Sequence, residues 1–152
     1  MTPQDWKDIE HALGYPYGSA RLRADGHVIT LAVERGKGLR YLVSVYIDGV
    51  IEWCKTIRPE PDAVERKFWR ARRHYLHSAK IRAEYAAMAK RRGMPPEIKS
   101  SYARQAEASF EMLDPMWPDA KSLCRHLRKT CAQVERLPDF DLNEHTGAEA
   151  AQ

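Results

Sequence analysis

Apolar positions along this chain follow two periods, and each change of period marks an element boundary. Trp6, Ile9 and Leu13 fall at i, i+3 and i+7, one face of a helix. Thr2 is placed to cap that helix, Pro3 suits its first position, and Asp5 stands where a capping-box carboxylate belongs. Gly14 can end it.

From residue 19 the period drops to two. Asp25-Gly26 and Asp48-Gly49 are two-residue hairpin signals, because such turns need positive φ at both central positions. The first turn sets Ala24 opposite His27, Leu22 opposite Ile29 and Ala20 opposite Leu31. Through Gly36-Lys37-Gly38, Val33 is expected opposite Tyr41 and Leu31 opposite Val43. The second turn continues through Ile47–Val50, Val45–Glu52 and Val43–Cys54. One face of this four-stranded antiparallel meander then reads Leu22, Ile29, Leu31, Val33, Tyr41, Val43, Val45, Ile47, Val50 and Cys54, with Glu52 its single charge. The other face mixes Arg21, Arg23, Thr30, Glu34, Arg40, Ser44 and Lys55 with Leu42, Tyr46, Ile51 and Trp53. Its apolar members call for a covering helix or a docking partner.

Pro59 and Pro61 end the strands. Asp62 and Glu65 offer a second capping box, from which one long helix is expected to reach Gly93. Its apolar stripe is Val64, Phe68, Ala71, Tyr75, Ala79, Ala86 and Ala89. Opposite it lie Arg66, Arg70, Arg73, His77, Lys80 and Arg91. Pro95-Pro96 breaks the chain before a third helix, with Ile98, Tyr102, Ala106, Phe110 and Leu113 inward. A fourth helix, roughly 119–131, buries Ala120, Leu123, Cys124 and Leu127 and exposes Lys121, Arg125 and Arg128. Val134 to Leu137 suit a short final strand. Residues 1–137 thus read as a single α+β domain: a helix, a four-stranded sheet and three helices packed on its apolar face. Residues 138–152 carry acids and no Lys or Arg, the composition of a disordered acidic tail.

Charge changes this picture most between residues 66 and 92. That segment holds ten Lys or Arg against one acid, Glu84, a local +9 in a chain of net +4, so the remainder sums to about −5. Such segregation builds a positive field that attracts phosphates or acidic protein surfaces. A solvated helix face ordinarily mixes signs for i,i+4 pairing, and this one does not. Arg66, Arg70, Arg73, His77, Lys80 and Arg91 are therefore candidate contacts to nucleic acid or another partner, with Arg125 and Arg128 as a second patch. Trp69, His74 and Tyr75 interleave with them as candidate base-stacking groups. Tyr46, Ile51 and Trp53 form a candidate protein-docking group.

Catalytic and metal chemistry find little footing. His74-x-x-His77 and Cys124-x-His126 with Cys131 hold potential ligands, but zinc needs four in a tetrahedron, and the two cysteines stand ~10 Å apart on a helix. Glu65-Arg66-Lys67 and Glu97-Ile98-Lys99 match an E-x-K nuclease pattern, yet both fall at expected helix starts, whereas metal-dependent nucleases of that kind hold the pair on a strand. No Gly-rich phosphate loop and no nucleophile with a base and an orienter is visible. The expectation is a protein without enzymatic activity, cofactor or metal. Three cysteines, Cys54, Cys124 and Cys131, make an odd, sparse set suited to a reducing compartment. With no apolar stretch of signal-peptide or membrane-spanning length, the expected location is the cytoplasm.

Several segments carry a resemblance. Met1-Thr2-Pro3-x-x-Trp6-Lys7-x-Ile9-Glu10, Pro16-Tyr17-Gly18 leading to Leu22-x-x-Asp25-Gly26, Val45-Tyr46-Ile47-Asp48-Gly49, and Trp117-Pro118-x-Ala120-Lys121 with His126-Leu127-x-Lys129 resemble small proteins encoded in phages and prophages of proteobacteria. The resemblance covers most of residues 1–137 and rests on caps, turns and core positions, so it implies a setting and no activity. That setting is a mobile-element accessory protein, of the kind that includes host-defence inhibitors such as anti-CRISPR proteins. Many of those are acidic DNA mimics, and the basic charge here disfavours mimicry. The expected partner is nucleic acid or a nucleoprotein complex. The alternative is an inhibitor that docks on an acidic host protein without touching nucleic acid.

Overall fold

A computed structural model describes residues 1–139. The acidic tail expected from Pro138 lies, from residue 140 on, outside the described residues. Those described form four α-helices and seven strands, all strand pairs antiparallel. The fold class is therefore α+β, though its strands are more numerous and differently distributed than a meander followed by three helices.

Helix α1 (Pro3–Ala12) begins as its residues dictate. The Thr2 side chain accepts from the Asp5 amide, and the Asp5 carboxylate accepts from the Thr2 amide at 2.7 Å. Strands β1 (Ser19–Ala24) and β2 (His27–Arg35) pair in the expected register around Asp25 (φ 47°) and Gly26 (φ 86°). Gly18 just before β1 has a different necessity. A Cβ there would sit 2.1 Å from the Ala12 carbonyl oxygen, so the chain turns from α1 into the sheet only with glycine.

Strand β3 (Tyr41–Ile47) is shifted by two residues from expectation: Val33 faces Val43 and Leu31 faces Val45. The Gly36 amide closes the connection on the Arg40 carbonyl, and Arg35 pairs with Tyr41. A slip of two preserves which face each side chain occupies, so the apolar face survives the wrong register.

The fourth strand of the meander does not form. After the turn at Asp48 and Gly49 a single bridge joins Ile47 to Val50, and the chain enters a 3-10 turn, Trp53–Lys55. The outer edge of β3 has other partners. The Val45 amide donates to the Pro115 carbonyl and the Val45 carbonyl accepts from the Trp69 indole at 3.1 Å. Strand β6 (Met116–Trp117) pairs with β3, and β7 (Val134–Leu137) pairs with β1. The five-stranded order is β6-β3-β2-β1-β7.

The largest departure is in residues 62–93, expected as one helix. They form a 3-10 turn (Val64–Lys67), strand β4 (Arg70–Tyr75) and helix α2 (Ala79–Ala89). Phe68 and Trp69 are both buried, and β4 finds its hydrogen bonds on β5 (Ser109–Asp114), which was expected as the end of the third helix. Ser78 caps α2 by accepting from the Ile81 amide. Helix α3 (Pro96–Glu107) returns beside α2 to β5. Of the three later helices, only α4 (Ala120–Thr130) contributes to the main core. Helix α2 buries no residue and α3 buries Ala106 alone. The long stripe of alanines offered too little apolar area to hold a helix on the sheet.

One core face results, with Trp6 and Ile9 of α1 and Leu123, Cys124 and Leu127 of α4 against Leu22, Ile29, Leu31, Val43 and Val45. Burial of the Cys124 thiol pushes its pKa up to about 12, so it is an inert packing group. On the opposite sheet face Ser44 and Tyr46 both donate to the Glu34 carboxylate. Among the described residues no helix is long and apolar enough to cross a membrane.

Asp25 links three parts of this core. Its carboxylate, 13% exposed, accepts from Lys67 Nζ at 2.9 Å and from the amides of Ala132 and Gln133. The Lys67 bond, followed by the two backbone donors, lowers its pKa to about 2. A depressed carboxylate stabilises the fold above its unfolded pKa of ~3.9 and loses that contribution as pH falls toward 2. Asp25→Asn is expected to flatten the stability profile between about pH 4 and pH 2 relative to the parent, as read by urea unfolding at stepped pH. Trp69→Ala, which empties a buried indole site and orphans a carbonyl, is expected to cost about 3–5 kcal/mol in the same assay at neutral pH.

Candidate nucleic-acid interface

The basic segment leaves the core at Trp69 as a strand, so its side chains alternate between two faces of the β4–β5 ribbon. Arg70, Arg72 and His74 share one face with Asp114, Met112 and Phe110. Ala71, Arg73 and Tyr75 share the other with Leu113, Glu111 and Ser109. Residues 76–108, the helical hairpin of α2 and α3, connect the two strands. The six cations expected on one helix stripe are thereby distributed over a turn, a strand, a loop and a helix.

Several of them are engaged within the protein. Arg66 donates from Nε to the Glu60 carbonyl at 2.7 Å and from Nη2 to the Pro59 carbonyl at 3.1 Å, and it pairs with Glu111. Arg70 reaches Asp114 at 3.3 Å, and its Nε is buried with no partner among the described residues. His77 lies 2.9 Å from the Gln105 side-chain oxygen and edge-on to Tyr85, tying the start of the arm to α3. These residues brace the ribbon. Trp69, expected among the stacking groups, is 1% exposed and cannot meet a ligand.

Arg73, Lys80 and Arg91 are exposed. Among the described residues Arg91 meets the Met88 sulfur alone, at 4.0 Å. Lys90 and Arg92 are exposed beside Arg91 at the tip of the hairpin. The hairpin as a whole carries Lys80, Arg82, Lys90, Arg91, Arg92, Lys99 and Arg104 against Glu84, Glu97 and Glu107. Arg125 and Arg128 lie on α4 with Lys121 and Lys129, around a shallow depression that Glu10 also lines. The Arg128 guanidinium stands 4.9 Å over the Trp6 ring, so part of that second patch is spent on packing.

The candidate docking group is taken apart. Tyr46 is bonded to Glu34 on the sheet face opposite the core, Ile51 packs against the core, and Trp53 projects from its 3-10 turn with 58% of its surface exposed. Trp53 instead joins the ribbon. It lines a groove of about 380 Å³ with Thr56, Arg72, Arg73, His74, Met112, Leu113, Asp114 and Pro115.

Arg72, Arg82, Phe110 and Met112 had no assigned part in the site. Arg72 is 59% exposed and pairs with Asp114 at 3.1 Å. Arg82 stacks 3.3 Å over the Tyr75 ring and donates to the Ala106 carbonyl, fixing the hairpin on the ribbon. Phe110 stacks against His74 at 5.2 Å. The signal for the ribbon was the alternation Phe110, Glu111, Met112. No tight-turn motif accompanied it, because a helical hairpin, not a turn, joins the strands. Among the described residues no three His, Cys, Asp or Glu converge as a metal site. No known protein family, curated protein or solved structure matches the chain.

Charge reversal separates bracing cations from free ones. Arg66→Glu and Arg70→Glu are expected to lower stability by about 1–3 kcal/mol, because each breaks charge-assisted bonds and leaves acids or carbonyls unpaired. Arg73→Glu and Lys80→Glu are expected to shift the thermal midpoint little. Thermal denaturation of the four purified variants checks this.

Proposed function

We propose that this protein is a non-enzymatic nucleic-acid-binding protein whose free cations on β4 and the helical hairpin engage the phosphate backbone. The observation that carries the reading is the division of labour within residues 66–92. Arg66, Lys67, Arg70 and Arg82 are used to hold the fold, whereas Arg73, Lys80, Lys90, Arg91 and Arg92 stand exposed. With Glu84 the single acid of the segment, this surface supplies positive charge beyond what its own structure uses. Phosphates answer that surplus because each one neutralised releases counterions. In the phage or prophage setting that the sequence resembles, the ligand would be nucleic acid or a nucleoprotein complex of the host's defence.

Fluorescence anisotropy with labelled DNA and RNA, at about 50 and 200 mM salt, tests the reading. Micromolar or tighter binding that falls steeply with salt is expected. Arg73→Glu combined with Lys80→Glu is expected to weaken binding across sequences and to lower the salt slope by roughly 0.7–0.9 for each contact removed. An absence of binding at the lower salt overturns the reading and turns attention to an acidic protein surface, sought by pull-down from nuclease-treated lysate.

A further inference from the structure

The four tryptophans are not equivalent. Trp6, Trp69 and Trp117 are 6%, 1% and 4% exposed, all within the core. Trp53 is 58% exposed, although burial of an indole is among the largest stabilising contributions a side chain can make. Its backbone is nevertheless held firmly. The Thr56 hydroxyl and amide both donate to the Trp53 carbonyl, at 2.6 and 3.1 Å. Thr56 is itself buried, and its carbonyl accepts from the Leu113 amide of β5 at 2.8 Å. A rigid support therefore presents an exposed aromatic side chain, which is the arrangement of a pre-organised anchor.

What lies beside the anchor narrows its ligand. The groove sets the half-buried Met112, above the buried Leu113 and Pro115, beside Arg72, Arg73 and His74. Its one acid, Asp114, is already paired with Arg70 and Arg72. The volume of about 380 Å³ falls in the ~300–1,000 Å³ range of small-ligand sites. A planar apolar group carrying an adjacent negative charge satisfies both parts of this groove, and a nucleotide is such a group. In a duplex the base faces are occupied by stacking on one another; in a single strand they are free for an indole.

Resting on the nucleic-acid reading above, we infer that Trp53 is a stacking platform for an unpaired nucleobase, with Arg72, on the ribbon face of Met112 and His74, taking the adjoining phosphate, so that the protein prefers single-stranded nucleic acid. The full chain is titrated with labelled single-stranded DNA, single-stranded RNA and the matching DNA duplex at one salt concentration. The single strands are expected to bind about tenfold or more tightly than the duplex. Trp53→Ala is expected to lose about tenfold or more for single strands and little for duplex, with Trp53→Phe recovering most of the loss. Because the other three tryptophans are buried, acrylamide quenching reports chiefly on Trp53, and single-stranded ligand is expected to protect that emission in the parent protein. This second reading stands even if Trp53→Ala proves unstable. Salt-sensitive binding that ignores Trp53→Ala, favours the duplex or leaves the quenching unchanged overturns the platform while sparing the phosphate surface. No binding of any strand at low salt overturns both.

Discussion

Burial of the adjacent pair Phe68 and Trp69 governs most of what surrounds it. The Trp69 indole donates to the Val45 carbonyl of β3, and the Trp117 indole donates to the Phe68 carbonyl at 3.0 Å. On the same stretch His126 lies 3.1 Å from the Arg66 carbonyl, and the Thr130 hydroxyl donates to the Lys67 carbonyl at 2.7 Å. Four consecutive residues are thus tied to the sheet edge, to β6 and to two turns of α4. Lys67 adds the bond to Asp25 in the first hairpin. The segment passes through the core as a 3-10 turn that leads into an extended strand, and both large side chains are buried there from neighbouring positions.

The candidate site follows from that passage. The chain emerges at Arg70 already extended, and its basic residues must alternate faces along a ribbon. Asp114 gathers Arg70 and Arg72, and Glu111 takes Arg66, so a part of the positive charge is neutralised where the ribbon joins the body. The remainder lies outward on β4 and along a helical hairpin whose two helices fully bury Ala106 alone. Trp53, brought in from a different part of the sequence, borders the same ribbon because the 56–58 stretch lies along the free edge of β5.

Elements with local causes were legible. The Thr2–Asp5 capping box, the Asp25-Gly26 hairpin, the helix capped by Asp119 and the final strand all appear in place. Even the misplaced third strand kept its faces, because its error was an even number of residues. The long helix failed for a reason equally physical. Cations spaced at i+3 and i+4 fit a helical stripe, but they fit an exposed ribbon and hairpin as well, since none of them needs burial. The periodicity of exposed residues has little power to decide between the two. Trp53 was singled out from its sequence position, and its actual neighbours could not be.

The sequence by itself determined the Thr2–Asp5 cap, the turns at Asp25-Gly26 and Asp48-Gly49, the inward and outward parity of the sheet and the concentration of positive charge between residues 66 and 92, whereas the capping box expected at Asp62 and Glu65 does not form. Each of these depends on residues a few positions apart, where steric limits and local hydrogen bonds act alone. Only the tertiary structure decided that β3 receives β6 and Trp69 at its edge, that β4 is a strand, and which cations are braced and which are free. Those outcomes depend on partners 24 to 74 residues away, as in the bond of Trp69 to Val45 and the pairing of Val43 with Trp117. A strand edge or a guanidinium accepts any suitable partner that packing brings within reach, and packing is a property of the whole chain.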